Sequence, residues 1–344
     1  MRKIPCARCS SLPWVVLKNW VVICGLLLLL AAIFAISLLA GRVWLPVSQV
    51  WHGLWSPEAG LASAIVTDLR LPRAVLALEV GAALGLSGAV LQGLTRNPLA
   101  EPGLLGVSAG SALGAVIAIY FGLATHFATA APLLGLMGAL LASLLTFALG
   151  SGGGTITLVL AGAAVSALAA AGISLALNLA PNPYAAYEIM TWLMGSLSDR
   201  SWLHVTLVTP FIVVGGALLL ATARALDALA LGEAQAQSLG VSLPRLYVFA
   251  VFGTALAIGA STAVTGAIGF IGLVAPHLVR PLVQHQPSRV LLPAALTGAL
   301  LLLLADVATR LLHFGGELKL GVLTSLIGTP FFFWLVVRLR KLAP

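Results

Sequence analysis

Few side chains in this 344-residue chain can do chemistry, and their spacing limits what they can do. Arg70 and Arg73 stand three apart in RLPR, and Asp306 and Arg310 four apart in ADVATR. Planar guanidinium groups pair with carboxylates through two parallel hydrogen bonds, so these arginines suit carboxylate recognition. Asp306 and Arg310 fall on one helix face, where an intrahelical pair orients the guanidinium. Snorkelling anchors at the ends of apolar spans are the plainer reading. Gly106-Val107-Ser108-Ala109-Gly110 fits G-x-S-x-G, but the hydrolase elbow needs a strand before its serine and here an apolar helix start surrounds it. Gly150-Ser151-Gly152-Gly153-Gly154-Thr155 has the glycines of a phosphate loop without the Lys-Ser or Lys-Thr that must follow, so it reads as a tight turn. Cys6 and Cys9 form a CxxC with no partner ligands nearby, and Cys24 lies in an apolar run. His126, His204 and His313 are scattered. No metal site, resident cofactor or acid–base set is expected, and the chain reads as a non-enzyme.

The rest of the sequence must position these groups. Sixty per cent of residues are hydrophobic and 8% charged, whereas a soluble domain has about a quarter charged. Apolar runs of spanning length recur throughout, at about 20–40, 74–94, 104–121, 131–149, 156–179, 204–223, 246–263, 270–283, 290–312 and 320–337. The class is therefore an all-α polytopic membrane protein with about ten transmembrane helices in one domain, 20–340, behind a tail at 1–19. The net charge of +8 follows from topology rather than from a nucleic-acid partner. Arg2, Lys3, Arg8 and Lys18 precede the first span and Arg338, Arg340 and Lys341 close the last, which puts both termini in the cytoplasm.

Three intervals stand apart from the spans. Residues 42–68 carry Trp51, His52 and Trp55 and suit an outer loop at the membrane–water boundary, with lipid as their partner. Residues 184–197 are too short to cross, so an outer re-entrant or interfacial helix is expected. Residues 224–244 show helical periodicity punctuated by Gly232 and Gly240, which predicts two short helices outside the bilayer. Gly81-Ala82-Ala83-Leu84 is echoed by Gly253-Thr254-Ala255-Leu256, 172 residues later and on a span of opposite direction. That suggests inverted four-helix repeats.

The stretch 70–110 carries RLPR, then GxxLxxSG, then Gln92, then NPLAEPGLLGVSxG. It resembles the permeases of type II ABC importers, the iron-siderophore, haem and cobalamin uptake family, and the resemblance extends over about residues 60–340. It implies a homodimer in the bacterial inner membrane, two copies of a cytoplasmic ATP-binding subunit that consume the ATP, and a periplasmic substrate-binding protein. Of the possible cargoes, a ferric siderophore comes first, then haem or cobalamin. Arg70, Arg73 and Arg310 are then the binding-protein docking residues, and Asn97, Leu99, Gly153, Gly154 and Thr155 the cytoplasmic gate. Leu231, Gly232, Glu233, Ala236, Leu239 and Gly240 match the loop that seats the ATPase, with Ala236 expected in close contact with that partner. Gln92, Pro276, His277, Arg280 and Asp306 match family signatures without an assigned role. The chain departs from the pattern in its three consecutive glycines at the gate and in Glu317-Leu318-Lys319, where the family has Glu-Leu-Pro. The rival reading is an ion-coupled secondary transporter, which needs intramembrane acids; Glu79, Asp306 and Glu188 are the candidates.

Overall fold

An apolar segment in hydrocarbon must satisfy its backbone hydrogen bonds within itself. In the computed structural model, which describes residues 12–41, 43–55, 60–312 and 318–342, every regular element is helical. Cys6, Cys9, His313 and Glu317 lie outside the described residues. In chain order the helices are α1 (Leu12–Leu39), α2 (Val47–Trp55), α3 (Leu61–Ala64), α4 (Leu71–Thr95), α5 (Val107–Tyr120), α6 (Leu123–His126), α7 (Ala130–Gly150) and α8 (Gly154–Asn178). There follow α9 (Pro183–Leu193), α10 (Trp202–Ala221), α11 (Ala223–Leu229), α12 (Glu233–Ser238), α13 (Leu243–Thr265), α14 (Ile271–Val279), α15 (Pro287–Leu311) and α16 (Leu320–Leu342).

Eight helical segments of the described chain are long and apolar enough to cross a membrane, and Val107–Tyr120 and Ile271–Val283 add two shorter apolar ones. The ten expected spans are all present as helices. Two sets of four, α4-α5-α7-α8 and α13-α14-α15-α16, repeat one order: long, short, long, long.

The core is built on α4, α13 and α15, whereas α1, α8 and α10 are mostly uncovered, as lipid-facing helices are. The close approach of α4 to its neighbours needs residues without side chains. A Cβ on Gly85 would stand 2.1 Å from the Ala294 carbonyl oxygen of α15, and one on Gly88 would stand 1.8 Å from that of Gly272 in α14. Backbone contact of this kind substitutes for the hydrophobic drive that is absent between helices in lipid.

The interval 42–68 is more ordered than a loop. It holds α2 and then α3, which runs through a single wide turn of π-helix, Ile65–Arg70, directly into α4. A π turn misaligns the carbonyl ladder, and Thr67 offers its freed carbonyl to the indole N–H of Trp202 at 2.9 Å. Helix α9 occupies the expected short segment. Asn182 caps it by accepting from the Ala185 N–H at 2.9 Å, and Ile189 is fully buried beside Val116 and Ile119 of α5.

Candidate docking, gating and coupling sites

At one end of the bundle three arginines gather around one acid. Asp306 is fully buried in α15. It accepts from Arg73 Nε at 2.8 Å and pairs with Arg310 one turn along the same helix, so the expected intrahelical pair is present and has a third member. The remaining donors turn to α1. Arg70 Nη1 donates to the Leu38 and Leu39 carbonyls at 2.8 and 2.7 Å, and its Nη2 to Val43 at 2.7 Å. Arg310 Nη1 reaches the Ser37 carbonyl at 2.9 Å, and its Nη2 reaches the Ser37 hydroxyl at 3.1 Å. The last carbonyls of a helix have no partner within it, and these two guanidiniums supply one. Arg70 is thus neither a snorkelling anchor nor directed outward: it is 8% exposed and makes three hydrogen bonds inward. Arg73, at 19% side-chain exposure, is the member that faces out most. Ser37 has no sequence signal for this part, since a small residue in an apolar run points to packing alone.

At the other end α4 stops in a Schellman arrangement. Arg96 takes the left-handed conformation at φ 50°, its N–H bonds the Gly93 carbonyl at 3.3 Å, and the Asn97 N–H bonds that of Gln92 at 3.2 Å. Asn97 then accepts from the Leu99 N–H at 2.9 Å, a local turn that fixes the start of NPLAEP. The chain turns back into the bundle here. Glu101 accepts the Phe270 N–H at 3.0 Å, which satisfies the start of the short helix α14. Gln92 ties the break together: its Nε2 donates to the Ala100 and Leu273 carbonyls at 3.4 and 3.3 Å, and its Oε1 accepts from Arg280 at 2.6 Å. His277 sits edge-to-face against Phe331 of α16, with ring centroids 5.7 Å apart, and Pro276 is buried beside it.

The glycine turn and the 224–244 interval meet. Gly152 and Gly154 have φ of 87° and 74°, so the glycines there serve a turn no other residue makes easily. Helix α8 begins at Gly154, and Thr155 Oγ1 donates to Glu233 Oε1 of α12 at 2.9 Å and lies 3.2 Å from the Tyr247 hydroxyl. Tyr247 in turn lies 3.4 Å from the same carboxylate oxygen. Glu233 sits at the N-terminus of α12, where a carboxylate is favoured by the exposed N–H groups. Tyr247 is a residue that the sequence did not single out, because one tyrosine in the first turn of a span carries no pattern.

Beside this contact two leucines in the turns on either side of α12 stand out among exposed polar residues such as Gln235, Gln237 and Ser238. Leu231 and Leu239 are each 65% exposed, flanked by the turn glycines Gly232 and Gly240 at φ 114° and 85°. Ala236 is a correction. It is fully buried against the permease itself, so it cannot touch a partner; a six-residue helix is too short for periodicity to tell its two faces apart. Of the intramembrane acids, Glu79 has both carboxylate oxygens near Thr209 Oγ1, at 2.9 and 3.0 Å, a hydroxyl it shares with the Val205 carbonyl at 2.7 Å, and Asp306 is neutralised as described.

A bundle of ten apolar helices with broken central spans and two short helices at one end suits a transport permease. The FecCD transport family matches residues 28–338, and the chain belongs to that family. It is 38% identical to the hemin transport system permease protein HmuU of Yersinia pestis over 92% of this chain and 96% of that protein. It is also 38% identical to the vitamin B12 import system permease protein BtuC of Yersinia enterocolitica, over 92% of each. A solved structure described as an inward-facing conformation of a metal-chelate type ABC transporter superposes with a TM-score of 0.82 at 33% identity, covering 92% of this chain and 98% of that one. The chain is an ABC importer permease of the type II fold.

Proposed function

We propose that the chain moves an iron chelate across the bacterial inner membrane, with a ferric siderophore the first candidate and haem or cobalamin next. Relatives named for hemin and vitamin B12, and a structural neighbour named for metal chelates, support a bulky metal-centred cargo. The permease works as a homodimer with both termini cytoplasmic, on two copies of an ATP-binding subunit, and receives cargo from a periplasmic binding protein. A cavity of about 660 Å³ beside α16, lined by Met194, Ala267, Gly321, Ser325 and Thr329, is wide enough for part of such a cargo and suits one wall of the pathway.

The observation that carries this reading is the hydrogen bond that Thr155 donates to Glu233. Leu231 and Leu239 offer the ATPase an apolar seat, and Glu233 stands between that seat and the glycine turn that opens α8. Movement of α12 under ATP-driven closure therefore acts on Thr155 without any intermediate element. Docking falls to the opposite end, where Arg73 presents what remains of the arginine cluster. The ion-coupled alternative is weaker, because Glu79 and Asp306 are both engaged with neighbouring side chains.

The test is uptake into vesicles holding the permease and its ATPase, with loaded binding protein outside. ATP-dependent accumulation of one labelled chelate among ferric siderophore, hemin and cobalamin is expected. Accumulation driven by a proton or sodium gradient without ATP would overturn the reading.

A further inference from the structure

A cavity of about 300 Å³ opens at the end of the bundle that carries α11 and α12, between the end of α4, the end of α11 and the start of α15. Its basic lining is Arg96 and Arg280 with the His285 imidazole beside them, and its apolar floor includes Ala89, Gly93 and Val290. Neither arginine is in an ion pair: among the described residues both ion pairs involve Asp306, at the other end of the molecule. Asp227 is turned to the start of α15, accepting from the Ser288 N–H at 2.8 Å, the Ser288 hydroxyl at 2.6 Å and Gln286 at 2.8 Å, and Glu233 is turned to Thr155. Arg280 is fixed in place by Gln92 Oε1 at 2.6 Å, a neutral acceptor that orients the guanidinium and leaves its charge uncompensated.

The backbone at the rim is left-handed. Arg96, Gln284 and His285 all adopt positive φ, at 50°, 60° and 60°. For Arg96 and Gln284 it is the conformation that ends α4 and the 3₁₀ turn Arg280–Val283. These two helix ends bring Arg96 and His285 to one opening. Desolvated guanidinium without a counter-charge is unfavourable, and its planar fork matches the oxygens of a phosphate. Basic pockets between transmembrane helices near the cytoplasmic face are suited to phospholipid headgroups. The volume is at the small end of ligand pockets, too small for the cargo and sufficient for a phosphate with a short glycerol arm.

We propose that this cavity binds a phosphate-bearing anion, either the phosphodiester of an anionic phospholipid headgroup or a free phosphate, held by Arg96, Arg280 and His285. The site lies beside the coupling elbow through Ala230, so its occupant bears on how α11 is seated.

The full-length permease is purified in detergent and its bound lipids are counted by native mass spectrometry, with phosphatidylglycerol and phosphatidylcholine as probes. In parallel its thermal midpoint is followed against inorganic phosphate. Preferential retention of phosphatidylglycerol is expected, weakened about fivefold for each arginine lost. The variants are Arg280→Gln and the pair Arg96→Asn with His285→Asn, asparagine being chosen because it tolerates positive φ. Should Arg280→Gln fail to fold, the paired variant still decides. A midpoint raised by inorganic phosphate with no lipid preference identifies free phosphate as the source and sustains the site. Equal retention of both lipids with no response to phosphate overturns the proposal, as does wild-type binding by the paired variant. If neither probe binds and the paired variant instead loses the ATPase subunit, the cations face an acidic protein surface and the proposal fails.

Discussion

The arginine cluster and the coupling elbow are built on opposite plans. In the first, a fully buried carboxylate is shared by Arg73 and Arg310, and Arg70 and Arg310 are bound into the last turn of α1. Three helices, α1, α4 and α15, are joined there by charge-assisted bonds. In the second, one partly exposed carboxylate is shared by a threonine and a tyrosine, and the large side chains face outward. Removing a member of a buried charge network costs about 3–5 kcal/mol, whereas a hydrogen bond to a charged group contributes about 1.5–3 kcal/mol. One end of the permease is held fixed, and the other can exchange its contacts at modest cost.

The comparison breaks first at Asp306. Asp306→Ala should destabilise the purified protein by about 3–5 kcal/mol, because it leaves two guanidiniums without their anion. Thermal unfolding in detergent measures it, and a midpoint within a few degrees of wild type would mean that the cluster is not what joins α1 to the core.

Next in size is the pair Leu231→Asp with Leu239→Asp. Both side chains are exposed, so stability should change by no more than about 0.5 kcal/mol. Association with the ATPase subunit should fall by ten- to a hundredfold, roughly 1.4–2.8 kcal/mol, as for apolar anchors at an interface. Co-purification of the ATPase with the doubly substituted permease at wild-type level would remove the elbow as its seat. Ala236 offers no such clean test, since any bulk there disrupts the permease before it reaches a partner.

What the sequence made legible follows from what each feature leaves in it. Spans are legible because burial in lipid demands long apolar runs, and the glycines of α4 because close helix contact demands small residues. The Asp306–Arg310 pair is legible from four-residue spacing. The capping of α1 by Arg70 is not, because its acceptors are carbonyl oxygens that every residue carries. Nor is the Thr155–Glu233 bond, whose members are 78 residues apart and belong to different elements. The inward face of Ala236 was hidden by the brevity of α12, and the helix within 42–68 by aromatic residues that suit a loop equally well.

Docking should respond less than coupling. Arg73→Gln keeps a donor toward Asp306 and removes the cluster's outward charge. Binding-protein association at low salt should weaken by about fivefold, close to 1 kcal/mol, with a shallower salt dependence, as exposed charge pairs contribute little at equilibrium. Unchanged affinity at low ionic strength would mean that docking relies on other residues of that face.

The smallest effect is expected at Tyr247, and it separates two versions of the coupling contact. Its hydroxyl stands 3.2 Å from Thr155 and 3.4 Å from Glu233, longer than a strong hydrogen bond between oxygens, whereas Thr155 reaches Glu233 at 2.9 Å. Tyr247→Phe preserves the ring and should shift stability by about 0.5 kcal/mol or less. Thr155→Val removes the shorter bond at constant shape and should cost about 1–2 kcal/mol at the contact, since the carboxylate then keeps only a distant donor. Neither change touches Leu231 or Leu239, so the ATPase should remain bound in both. The readout is cargo moved per ATP hydrolysed in vesicles: a fall for Thr155→Val with Tyr247→Phe close to wild type is expected. The reverse order would make the tyrosine the link between α12 and the first turn of α13, and would move the coupling path from α8 to α13.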